Sequence, residues 1–247
     1  MKNKDEEQSI KNKSNTMVER THTTSFTGAV NANAISTGSG DIFLSHQIDP
    51  ICNGTRDYLK AENRISSSKI LFLGANPSNT SRLKLDEEVQ KIQINLKLAK
   101  ERENLEFHQV WAVTVDSLMQ AMLDNLPTIV HFSGHGEQQG IILQDAIGAP
   151  QIITGDALAT LFQLFKDTLK CVVLNSCYSE NQAKIIKEYI PHVIGIKAGI
   201  SDKAAISFST GFYKAIGSGK DFLFAFRFGI AAIKLKNISE ENIPFFM

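Results

Sequence analysis

From Lys69 onward, apolar runs of strand length alternate with amphipathic stretches of helical length. No other feature of the chain constrains its fold as tightly. Strands laid side by side, with a helix crossing over between successive ones, build a mainly parallel sheet with helices on both faces. Five runs, at 70–73, 110–115, 128–132, 171–174 and 193–196, are nearly continuous in apolar residues, as strands covered on both sides must be. The stretch LDEEVQKIQINLKLAK sets Leu85, Val89, Ile92, Leu96 and Leu98 largely on one side, with acids early and lysines late, as the helix dipole favours. Asp116 and Ser201 are the predicted N-caps of DSLMQAMLDN and DKAAISFSTGFYKAI, each offering an oxygen to an orphan backbone N–H. A further helix, DFLFAFRFGIAAIKL, is apolar on most sides and is predicted to be deeply packed.

The α/β pattern sets the boundaries. Residues 1–24 carry few large apolar groups, so burial offsets little of their ordering entropy, and they read as a disordered tail. Residues 25–68 hold SFTGAVNANAISTGSGDIFL, whose Gly-rich turns and spaced aliphatics suit short β pieces in a linker or a partner-docking segment. Residues 69–247 form the main domain, which is large enough to bury a core without staples. Lys plus Arg and Asp plus Glu both total 26, so no global basic field argues for nucleic acid or an acidic membrane surface. The three cysteines, Cys52, Cys171 and Cys177, are odd in number and lack framework spacing, which suits a reducing, cytoplasmic compartment. The charged N-terminus has no apolar run after it, and no stretch of about 18 apolar residues occurs; secretion and membrane spanning are disfavoured.

Two strand endings are not explained by burial: TIVHFSGHGEQQG and CVVLNSCYSEN. In open parallel sheets the carboxyl ends of the strands line the ligand crevice. His135 and Cys177 each fall three residues past their strand's last large apolar side chain, so they converge on one cleft if the strands are neighbours. A thiolate attacks carbonyl carbon well, and a nearby imidazole can take its proton and later protonate a leaving amine. Gly134 and Gly136 allow a tight turn and close approach to a substrate, with the Gly136 N–H available to a developing oxyanion.

The combination of IVHFSGHG, VVLNSCYS, ILFLGANPSNTSRLKLDEEVQKI, HVIGIKAGISDKAAISFSTGFYKAIGSG and AFRFGIAAIKL resembles the CHAT family, the caspase-like group that also resembles separase, over roughly residues 69–235. The resemblance implies a caspase-like three-layer sandwich and a cysteine endopeptidase without cofactor. His135 and Cys177 would form its dyad, and the N–H groups of Gly136 and Cys177 its oxyanion hole. SDKAAISF is similar to a separase segment whose acid binds the basic residue before the cleaved bond, which implies Asp202 as a substrate-binding residue selecting Arg or Lys; a carboxylate suits either cation. The family context implies a bacterial defence or signalling protease that cuts a specific protein partner. With little chain outside the domain, sensing would fall to a separate activator protein.

Plainer readings accompany these. Cys171 opens its strand and Cys52 precedes the domain, so both read as structural or incidental. His131 lies inside an apolar run and reads as a core or hydrogen-bonded support. Zinc would need Cys171 and Cys177 to share one ion from opposite ends of a strand, which ordinary bond lengths forbid; no metal is expected. Asp202 also suits a first-turn acid beside its Ser201 cap. Asp145 ends IILQD, a predicted hairpin, and its turn and site roles are not separable from sequence. TGSGD and IGSGKD lack the GxxxxGK[ST] spacing of a phosphate loop and read as turns or caps. The competing functional class is a catalytically quiet signalling adaptor that keeps the fold and presents its N-terminal 68 residues. A self-cleaving zymogen shares the first mechanism and differs in substrate.

Overall fold

In the computed structural model, which describes residues 67–247, the alternation resolves into strands and crossover helices. The tail at 1–24 and the segment at 25–66, with Cys52, lie outside the described residues. The first half runs β1 (Ser68–Ala75), α1 (Leu85–Lys97), β2 (Leu105–Trp111), α2 (Val115–Asn125) and β3 (Ile129–Gly134). A small antiparallel ribbon follows, formed by β4 (Gly136–Glu137), β5 (Gly140–Gln144) and β6 (Pro150–Thr154). The second half runs α3 (Gly155–Gln163), β7 (Cys171–Asn175), α4 (Glu180–Ile186), β8 (His192–Ile196), α5 (Asp202–Ile216), α6 (Phe222–Leu235) and β9 (Pro244–Phe246).

The main sheet has the order β2-β1-β3-β7-β8-β9. Its strands are parallel except β9, which pairs antiparallel to β8. One core lies between the sheet and α2, α3 and α4, around Met122, Phe132, Phe162 and Ile186. A second lies on the other face against α1, α5 and α6, around Phe72, Ile92, Phe208 and Phe212. The chain is thus an α/β three-layer sandwich, as its alternating pattern requires. Among the described residues no helix is long and apolar enough to cross a membrane.

Several boundaries differ from expectation, each for a physical reason. The second strand is Leu105–Trp111 rather than 110–115. It is the sheet's edge and alternates in exposure, so its sequence LEFHQVW lacks the continuous apolar run of a covered strand. Val113 is buried, but it follows Ala112, whose left-handed backbone (φ 53°) turns the chain out of the strand. The N-cap of α2 is Thr114, not Asp116: Thr114 and Ser117 form a reciprocal capping box, and Asp116 sits in the first turn. Ser201 does cap α5, accepting the Ala204 N–H. In α1, Leu85, Val89, Ile92 and Leu96 are buried, whereas Leu98 lies beyond the helix end and is exposed. Helix α6 is only half buried, because it packs against α5 through a close Gly211–Gly229 approach and leaves Leu223, Phe224 and Phe228 open on its outer face.

Candidate active site

The register of β3 on β7 pairs Ile129 with Cys171 and ends at Ser133 opposite Asn175. His135 and Cys177 follow two residues later on their respective strands, so the two loops leave the sheet side by side. Gly136 shows how close they come. A Cβ at that position would lie 2.6 Å from the Cys177 carbonyl oxygen and 3.0 Å from Ser176 Cβ; only a glycine allows this approach without moving the backbone. The residue after Cys177, Tyr178, has a left-handed backbone (φ 56°), a conformation a non-glycine residue adopts only where its surroundings enforce it. Serine 179 anchors that turn, Ser179 Oγ donating to the Leu174 carbonyl at 3.1 Å and accepting the Ile196 N–H at 2.9 Å.

Both side chains are half-buried and line one narrow cleft of about 40 Å³, room for a few waters and too little for a peptide. His135 Nε2 lies 2.7 Å from the Ser81 carbonyl oxygen. A carbonyl only accepts, so Nε2 carries the proton and Nδ1 of the neutral ring is the basic nitrogen. Cys177 Sγ accepts the Ile200 N–H at 3.4 Å. Asp202 opens α5, is partly buried, and lines this cleft and also an adjoining cavity of about 580 Å³. That position is compatible with a specificity role as well as with its first-turn place beside the Ser201 cap.

Beneath the cleft lies a buried polar group that sequence reading treated as an ordinary first-turn acid. Glu88 of α1, 2% exposed, accepts from Ser133 Oγ (2.5 Å), Asn175 Nδ2 (2.7 Å) and Ser209 Oγ (2.6 Å). His131 Nε2 lies 3.2 Å from Glu88 Oε1, off the line of a full hydrogen bond, while its Nδ1 meets the Tyr213 hydroxyl at 3.0 Å. Burial alone would push the Glu88 carboxyl up; His131, Ser133 and Ser209 together outweigh it and hold the group below the usual carboxylate range. Burial likewise pushes the Tyr213 phenol well up. The sequence did hold a signal: Glu88 stands three residues after Leu85 and four before Ile92, on the apolar stripe of α1.

The other candidates fall where chemistry is excluded. Cys171 opens β7 at the end away from the cleft, fully buried, and burial pushes its thiol far up. His131 is the hydrogen-bonded core support its apolar run implies. Asp145 has a turn role, its Oδ1 accepting the N–H groups of Ile147 and Ala149 in the β5–β6 hairpin. Among the described residues no three or more His, Cys, Asp or Glu side chains gather as a metal would need.

No family model matches the chain. A Roc-COR-CHAT protease from an unknown prokaryotic organism is 28% identical over 184 residues, covering 71% of this chain and 17% of that protein. Over that stretch the chain is similar to a CHAT protease. A probable protease of Gillisia limnaea is 27% identical over 181 residues, covering 71% of this chain and 32% of its own length. The chain therefore spans between about a sixth and a third of the curated relatives it matches. Among solved structures, a secreted C11 cysteine protease from Bacteroides thetaiotaomicron, bound to an irreversible peptide inhibitor, superposes with a TM-score of 0.52 at 12% identity. That match covers 73% of this chain and 66% of the other. The Arg-specific cysteine proteinase gingipain R matches with a TM-score of 0.52 at 11% identity, over 78% of this chain and 50% of that one. These neighbours show that the chain shares the fold of caspase-like cysteine proteases.

Proposed function

We propose that the chain is a cysteine endopeptidase with Cys177 as nucleophile and His135 as its proton-transfer partner. The observation that carries this reading is the parallel register of β3 on β7, which ends two residues short of each group. The Cys177 thiol gives its proton to His135 Nδ1, and the sulfur attacks the scissile carbonyl carbon. The carbonyl oxygen becomes an oxyanion, for which the N–H groups of Gly136 and Cys177 are the proposed donors. Its collapse expels the amine, protonated by His135, and leaves a thioester. Water, giving its proton to His135, then attacks the thioester and frees Cys177.

Asp202 is the proposed contact for an Arg or Lys side chain before the cleaved bond, in keeping with its position between the cleft and the larger cavity. The substrate would be a specific protein partner in a bacterial defence or signalling setting. A cleft of about 40 Å³ supports activation by a separate sensor protein, since a peptide strand needs it to open. The test is fluorophore release from peptides varied at the residue before the cleaved bond. Cleavage after Arg or Lys is expected, abolished in Cys177→Ala and His135→Ala and stripped of its basic preference in Asp202→Ala. Cleavage persisting in Cys177→Ala would refute the assignment.

A further inference from the structure

Three segments carry the groups of the proposed site. The loop at 76–84 brings the Ser81 carbonyl to His135, β3 leads into His135, and β7 leads into Cys177. One residue, Glu88, touches the frame of all three, its carboxylate joining the two strand ends and its main chain the turn after the loop. Glu88 Oε2 accepts from Ser133, two residues before His135, and Oε1 accepts from Asn175, two residues before Cys177. Its own backbone N–H donates to Lys84 O at 3.1 Å, closing the first turn of α1 directly after the Ser81 loop. A fourth arm, Ser209 Oγ at 2.6 Å, fixes the same oxygen to α5, the helix that begins with Asp202.

From this convergence, and resting on the peptidase reading above, we infer that Glu88 is a positioning residue for the reaction: it holds the His135 loop, the Cys177 loop and the start of α1 in one register. It touches no reacting atom in this role. A buried acid that joins strand ends across a sheet is a costly way to obtain stability alone, because an apolar side chain of similar volume would fill the space without desolvating a charge. What the carboxylate adds is direction, since its lone pairs fix where the Ser133 and Asn175 side chains sit and hence where the backbones two residues on emerge. Its negative charge also borders the cleft that His135 and Cys177 line. The other titratable groups around it are His131 and Tyr213 inside, and Lys84 and Asp202 at the cleft.

The test uses the full chain as wild type, Glu88→Gln, Glu88→Asp and Ser209→Ala. Gln keeps the volume but offers one acceptor oxygen in place of two: that oxygen can serve Asn175 and Ser209, while the Ser133 hydroxyl loses the acceptor that directs it. Two quantities are read: kcat and KM on an Arg peptide, and the pH midpoint of Cys177 alkylation by iodoacetamide, with each cysteine followed by mass spectrometry. In Glu88→Gln, kcat falls at least about tenfold with KM within about twofold, as a loss confined to the reacting geometry requires. The alkylation midpoint moves to lower pH. Buried Cys171 reports the fold: if Glu88→Gln alkylates it, the two quantities are read instead from Ser209→Ala, which removes one arm and is expected to lower kcat less. A Glu88→Gln protein with Cys171 protected, an unmoved midpoint and wild-type kcat would overturn the inference. If the chain without its activator does not cleave, the midpoint still decides the role of Glu88, and failure of an electrophilic Arg peptide to label Cys177 overturns the peptidase reading separately.

Discussion

Replacing Gly136 with alanine probes whether the spacing between the two loops sets the rate. The new Cβ would stand 2.6 Å from the Cys177 carbonyl oxygen, where ordinary contact begins at 3.4 Å, so the backbones must part by roughly 0.8 Å. The obstacle is main chain, not the end of a side chain that can swing aside. A misplacement on the order of 1 Å costs about 100-fold in rate when the reacting groups must be aligned, so kcat is expected to fall by roughly 50-fold. Forcing a methyl into packed backbone costs about 1–3 kcal/mol, a melting decrease of about 3 °C for each kcal/mol in a domain this size. The assay pairs steady-state peptide hydrolysis with thermal unfolding. Gly140→Ala is the control, because its Cβ meets the Ile153 carbonyl inside the small ribbon and not the loop bearing Cys177. Should Gly136→Ala melt as expected yet keep kcat within threefold of wild type, loop spacing does not govern the chemistry.

Two stability predictions follow from the same region. The Glu88 carboxyl is held below its ordinary value of 4.5 in the folded chain, so its contribution is fully present above that value and is lost as pH falls through the lower folded-state value. Urea midpoints of wild type should therefore decline in acid more steeply than those of Glu88→Gln; parallel curves would show that the carboxylate is not held ionised by the fold. Ser201→Ala removes the acceptor of the Ala204 N–H and the donor to Glu240 Oε1 at 2.7 Å, and should cost about 1 kcal/mol by chemical denaturation; no measurable loss would mean water replaces the cap.

What the sequence makes legible here is what periodicity and chain order encode. Ile70, Val130, Val172 and Val193 stand in runs covered on both faces, and such runs announce buried parallel strands whatever surrounds them. His135 and Cys177 stand out in the sequence because each follows such a run at equal distance. Leu105 to Trp111 was misplaced because an edge strand needs apolar residues on alternate positions only, and a polar alternation is also what a loop looks like. The exposed face of α6 was hidden for the opposite reason: apolar content does not tell which side a neighbour covers. The Ser81 carbonyl leaves no trace in residue type, since any amino acid offers one. Glu88 was legible only in hindsight, because burial of a charge is decided by hydroxyls and amides far along the chain, at 133, 175 and 209.

The direction of β1 carries a consequence for how this domain is joined to anything before it. Because β1 runs parallel to β3 and β7, its first residue, Ser68, lies at the far rim from the cleft, and its eight residues set a separation of roughly 26 Å. The chain therefore enters the domain at the rim opposite the cleft. The same polarity bears on self-processing. A bond near Ser68 cannot reach Cys177 of its own molecule without about eight further extended residues to wrap the edge, so cleavage close to that junction would take place between two copies, with a rate that rises with protein concentration.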